Sequence, residues 1–183
     1  IDQILKRVQD DRFIYLILLL GFILRLVNLN QSFWLDEAAQ VIESARPFSQ
    51  QFQLAADFHP PLYHVILHFW MLFGHSEIWI RLLSVLFGVM SIWGIYEIAH
   101  ILGNKKTGMY AAFLLAVSPY HIWYSQETRP YMQFATISVF ATLFLFRKNR
   151  KLYTLSIIFG LLTHYFFLFL LIVHFGGVCV YYI

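Results

Sequence analysis

Two short polar stretches hold the residues of this chain best suited to chemistry: Trp34-Leu35-Asp36-Glu37 and Ser125-Gln126-Glu127-Thr128-Arg129. Each lies between long apolar runs, where ionisable side chains are costly unless they are used. Asp36 beside Glu37 offers a general base with a second carboxylate that binds a metal or holds an acceptor. A carboxylate can take the proton of an attacking hydroxyl when it is within hydrogen-bond reach and partly desolvated. The same pair also reads as a helix start, with Asp36 as N-cap and Glu37 in the first turn. A cap fixes a side chain in place, so the two readings are compatible. Glu127 and Arg129 flank a turn that ends at Pro130, the expected first residue of a helix. Arg129 and the free amides of that helix's first turn make an anion site suited to a phosphate. A Glu127–Arg129 ion pair, or Arg129 on ordinary lipid phosphate, is the alternative.

His59 precedes Pro60-Pro61, with Asp57 two residues earlier, and is the candidate metal ligand of the same loop. His64 and His68 are four apart on one helical face, but sequence fixes no third ligand for them. His164, Asp57 and Tyr131 are further outer-face candidates. Trp34, Tyr120, Trp123, Tyr124 and Tyr131 suit an interfacial aromatic belt, in which one of them could stack on a sugar. There is no Gly-rich phosphate loop, CxxC pair or nucleophile elbow, so a soluble nucleotide-binding site has no foothold.

The elements that must position these residues are membrane helices. Of 183 residues, 60% are hydrophobic and 13% charged, against about 25% charged in a soluble domain. The apolar residues cluster in runs long enough to cross a bilayer, which takes about 20 residues of helix. The runs do not alternate as barrel strands do. The formal charge of +3 comes from basic clusters at the ends of apolar runs, which fits membrane topology rather than a nucleic-acid partner. The single Cys179 forms no internal disulfide.

Residues 1–12 are expected to form a short interfacial helix and 13–29 the first span, with Arg25 snorkelling to the head groups. Residues 30–80 form the first outer loop. Within it, residues 37–46 are expected to be an amphipathic surface helix that turns Ala38, Val41, Ile42 and Ala45 to the membrane and stops at Pro47. Residues 62–73 make a helix of about 18 Å, too short for a core of about 30 Å. Spans two to four are placed at 82–102, 107–124 and 131–146. Residues 152–183 carry no charge and would run about 48 Å as one helix, so a break is expected near Thr163-His164-Tyr165. If 62–73 does not cross, Lys6-Arg7-Arg12, Lys105-Lys106 and the 147–151 cluster share the inner side, as the positive-inside rule requires. Asp36, Glu37, His59, Glu127, Arg129 and His164 then share the outer side.

The ordered set Trp34-Leu35-Asp36-Glu37-Ala38, Phe58-His59-Pro60-Pro61-Leu62-Tyr63, Arg81-Leu82 and the run from Ser118 to Tyr131 resembles the GT-C class of membrane glycosyltransferases. The likeness is to bacterial members grouped with protein O-mannosyltransferases and aminoarabinose transferases. The resemblance implies an all-α, polytopic transmembrane bundle with surface helices in the first outer loop, of which residues 1–183 would be the N-terminal portion. It implies Asp36 as catalytic base, Glu37 as its acidic neighbour, and His59, Glu127 and Arg129 near the donor phosphate or metal. It further implies an inverting transfer from a polyprenyl- or dolichyl-phosphate sugar to a protein, glycan or lipid hydroxyl. The site would face outward from a multi-pass protein of a bacterial plasma membrane. A divalent cation near Glu37 or His59 is the only cofactor this leaves room for. The aminoarabinose branch tends to carry an acidic residue before a Lys-Pro pair, where this chain has His59-Pro60-Pro61. The alternative function is a transporter or flippase for a lipid-linked or anionic solute, which would place its charges at the bilayer midplane.

Overall fold

The computed structural model describes residues 2–52 and 59–182, with side chains over residues 12–52 and 59–177. The described residues form helices α1 (Asp2–Leu26), α2 (Leu35–Ala45), α3 (Leu62–Met71), α4 (Glu77–Leu102), α5 (Lys105–Ala116), α6 (Pro119–Ser125), α7 (Tyr131–Phe146), α8 (Arg150–Leu161) and α9 (Phe167–Tyr182), with no strand among them. Polar caps start several of them. Ser76, Asn104, Ser118 and Asn149 each accept a backbone N–H three residues on, filling donors that a helix start leaves open.

α4 is the axis, and α1, α5 and α7 pack along it. It is the one helix among the described residues that is long and apolar enough to cross a membrane. α1 runs antiparallel to it: a Cβ on Gly21 would fall 2.8 Å from Ile92, and one on Gly88 3.1 Å from Arg25 Nε. α7 runs parallel, with Thr136 Oγ1 donating to Phe87 O at 2.7 Å near one end and Arg147 paired with Glu97 near the other. Ile14, Ile92, Tyr96, Ala112 and Ala116 form the core between α1, α4 and α5. Large apolar side chains such as Leu16, Ile23, Leu114 and Phe169 point outward, as a lipid-facing surface does.

The basic runs Lys105-Lys106 and Arg147–Lys151 sit at one end of the bundle, beside the end of α4. The turn between α8 and α9 lies at the other end, where Leu62 N donates to Leu162 O at 2.9 Å. α3 stays at that second end. Tyr63 Oη meets Ser84 Oγ at 3.2 Å, while Trp70 and Trp79 exchange indole-to-carbonyl hydrogen bonds at 2.8 and 3.1 Å. α3 therefore lies antiparallel along only the first turns of α4.

Five expectations need correction. α1 is continuous from Asp2, because no glycine or proline interrupts it near residue 12. Arg25 does not snorkel; it is fully buried in the bundle. Residues 107–124 are two helices, because Pro119 lacks an N–H and pushes Ser118 to an extended conformation, φ −64° and ψ 117°. α4 begins at Glu77, so Arg81 lies inside the helix rather than opening it. α2 starts at Leu35, so Asp36 lies inside the helix rather than capping it; its Ile42 side stays exposed, and it buries Glu37, Gln40 and Ser44. α7 matches its expected limits, and the break at Thr163-His164-Tyr165 is present.

Candidate functional site

Glu37 ties the two polar stretches together. It is buried, and Arg81 holds it with both prongs: Nε to Oε1 at 2.9 Å and Nη2 to Oε2 at 2.6 Å. Thr128 N, from the loop between α6 and α7, donates to Oε1 at 2.8 Å. Trp34 N donates to Oε2 at 3.4 Å, so Glu37 also closes the first turn of α2 from its third position. Trp34 is the N-cap of α2, and Asp36 sits at the second position of the helix rather than capping it. Arg81 spends its remaining donors on carbonyls of the α1–α2 loop: Leu29 at 2.8 Å, Ser32 at 3.3 Å, and Gln31. Its guanidinium also lies over the Phe33 ring at 4.9 Å.

Asp36 is different. It is half-buried, and no described residue donates to its carboxylate. Its backbone oxygen accepts from Arg129 Nη1 at 3.3 Å. Arg129 makes no ion pair with Glu127. Its Nε is buried without a partner among the described residues, and its guanidinium lies 5.7 Å from the Tyr131 ring centre. Glu127 Oε1 accepts from Trp123 Nε1 at 2.7 Å. Partial burial, with Glu37 and Asp36 nearby, holds the Glu127 carboxyl above its usual range, against the pull of Trp123 and Arg129. Among the described residues, two adjacent carboxylates thus have opposite surroundings: Glu37 is locked, Asp36 is open.

His59 and His164 meet edge to face at 5.1 Å, and His59 lies 6.4 Å from Tyr131. Tyr131 also meets Tyr124 at 5.4 Å. Burial, then the neighbouring His59, holds the His164 imidazole below its usual range. This aromatic group stands on the Arg129–Tyr131 side. On another side, a cavity of about 640 Å³ is bounded by the α1–α2 and α6–α7 loops, with Trp34, Glu37, Arg81, Trp123, Gln126 and Glu127 in its wall. Glu37 and Arg81 neutralise each other there, which leaves Glu127 as the wall's net charge.

Of the residues expected beside a divalent cation, Glu37 is already engaged. Both oxygens of Glu37 are taken, and the described residues contain no group of three or more His, Cys, Asp or Glu able to hold a metal. Asp57 lies outside the described residues. His64 and His68 turn to α2 instead: His64 Nδ1 meets Gln40 Nε2 at 2.8 Å, and His68 Nδ1 meets Ser44 O at 2.9 Å.

Sequence reading missed the part played by Arg81, Thr128 and Gln126. Arg81 had a signal, a lone arginine inside an apolar run, which needs a buried partner. Thr128 acts through its backbone N–H and had none. Gln126 donates through Nε2 to Arg25 O and Val27 O at 3.2 and 2.5 Å. A family model described as dolichyl-phosphate-mannose-protein mannosyltransferase matches residues 58–180, more than half of the chain. The match includes Arg81, Glu127, Arg129 and His164 and starts after Asp36 and Glu37. No curated protein and no solved structure matches the chain.

Proposed function

The chain belongs to the dolichyl-phosphate-mannose-protein mannosyltransferase family, and from that premise we propose that it inverts an anomeric centre while moving a sugar from a polyprenyl- or dolichyl-phosphate carrier to an acceptor hydroxyl. The observation that carries this reading is the contrast between Asp36 and Glu37. A base must be free to take a proton, and the carboxylate beside it must hold the loops still. Asp36 is open, while Glu37 is fixed by Arg81 and by the loop that bears Arg129.

In the proposed reaction, Asp36 removes the proton of the acceptor hydroxyl as its oxygen bonds to the anomeric carbon. The bond from that carbon to the phosphate oxygen breaks on the opposite face. The lipid phosphate leaves with the electron pair. Stabilising that leaving charge is the main electrostatic task, and it falls to Arg129, whose Nε has no partner among the described residues, and to the amides that open α7. The cavity between Trp34 and Trp123 adjoins Asp36 in sequence through Trp34 and Glu37, and with Glu127 in its wall it suits a neutral acceptor approaching the base better than a phosphate. The bundle spans the membrane several times, with this site on the extracytoplasmic side. The gathering of Lys105-Lys106 and Arg147–Lys151 at the opposite end supports that orientation. Transfer from a radiolabelled polyprenyl-phosphate sugar in proteoliposomes tests the proposal. Release of label to an acceptor supports it, whereas solute uptake without release would favour a transporter.

A further inference from the structure

Arg25 carries a charge into the bundle and finds no carboxylate there among the described residues. A buried cation is costly unless each of its donors is met. All five N–H groups of Arg25 are met. Nε donates to Ser125 Oγ at 3.1 Å, and Nη1 to Gly21 O at 2.7 Å and Ala116 O at 3.0 Å. Nη2 donates to Leu115 O at 3.4 Å and to His121 Nδ1 at 2.6 Å. Arginine can only donate, so Nδ1 accepts. The imidazole proton then sits on Nε2, which reaches Ser91 Oγ at 2.8 Å, and Ser91 donates to Gly88 O at 2.8 Å. Ser125 in turn donates to His121 O at 2.6 Å.

Two of these acceptors, Leu115 O and Ala116 O, belong to the last turn of α5, where Pro119 has no N–H to offer Leu115 O and that carbonyl accepts a 3.3 Å bond from Ser118 N instead. The others, apart from Gly21 O, belong to α6. The fold keeps room for the arrangement: a Cβ on Gly88 would stand 2.3 Å from Ser125 Oγ. Beyond Ser125, Gln126 donates to Arg25 O and Val27 O at 3.2 and 2.5 Å, and Thr128 N reaches Glu37.

We infer that Arg25 is a positioning residue. It staples both sides of the α5–α6 break to α1 and thereby sets the 126–129 loop over α2. The inference rests on the proposal that this loop holds the donor phosphate. Its structural half, the staple, stands apart from that proposal and is read without any chemistry.

The test uses the full chain in liposomes in a Cys179→Ser background, with spin labels on Ile42→Cys of α2 and Tyr120→Cys of α6, both exposed positions. With Arg25 present, the inter-label distance distribution is narrow. Arg25→Met broadens it and lowers kcat by about tenfold to a hundredfold, with the donor KM within about threefold of the parent. Arg25→Lys, which keeps the charge but not the five-donor fork, falls between the two. A folded Arg25→Met protein with the parent's narrow distribution would overturn the staple. Broadening with unchanged kcat would overturn the positioning role. Should Arg25→Met fail to fold, Ser125→Ala carries the same two readouts with the same meaning. Loss of all transfer by the unmutated protein would count against the proposed chemistry and leave the distance result to decide the staple.

Discussion

Glu37 and Arg81, 44 residues apart in the chain, meet as a buried two-pronged ion pair at 2.9 and 2.6 Å. The pair joins the first turn of α2 to the second turn of α4, and through Thr128 N it also fixes the α6–α7 loop. Removing one partner strands the other charge. Glu37→Gln and Arg81→Met should each cost about 3–5 kcal/mol, read as lowered unfolding transitions in detergent. The double variant should cost less than the two single losses added, because both report one interaction.

Arg129 has the opposite economy, with its Nε left over among the described residues rather than saturated. Arg129→Gln should lower kcat by about 10²–10³ and leave the unfolding transition where it was, while Arg129→Lys should recover part of the rate. Steady-state transfer from a polyprenyl-phosphate sugar, paired with a melting curve, checks both.

How far the sequence reveals this arrangement depends on the range of each interaction. The limits of α7 and the break at Thr163-His164-Tyr165 follow from apolar run length and were legible. So was the shortness of α3. The break inside residues 107–124 carried a local signal, Ser118-Pro119, that an apolar run masked. Which face of α2 is buried was not legible. Apolar periodicity marks the face that avoids water, and beside a bilayer that face can look outward while Glu37, Gln40 and Ser44 turn to protein partners. Arg25 and Arg81 look alike in sequence, yet one meets a carboxylate and the other only neutral acceptors. Asp36 and Glu37 were legible as a site, but their division of labour depends on Arg81 and Thr128, far along the chain.

The site's titration should show in stability. Glu127 holds its proton more tightly when folded than unfolded. As pH rises above about 4.3, the unfolded chain therefore releases that proton first, and stability falls until the raised folded value is passed. His164 behaves in the opposite sense. As pH falls below about 6.5, the unfolded chain gains the proton first, and stability is lost toward acid. Glu127→Gln should remove the first loss and His164→Asn the second, each visible as a flattened limb of the melting temperature against pH.

The cavity wall offers a separate test of where the acceptor lies. Trp34→Ala and Trp123→Ala remove large lining surfaces without touching Asp36 or Arg129. Each should raise the acceptor KM by about tenfold, the scale of one lost aromatic contact, and leave the donor KM unchanged. A donor effect of equal size would place the donor sugar there instead.

The central claim is that the open carboxylate beside the locked one is the base, and Asp36→Asn tests it most directly. The substitution keeps shape and removes basicity at a residue that carries no ion pair among the described residues. In proteoliposomes supplied with a polyprenyl-phosphate sugar, turnover should fall by about 10²–10⁴, with donor affinity and melting temperature unchanged. Turnover close to that of the unmutated protein would contradict the claim.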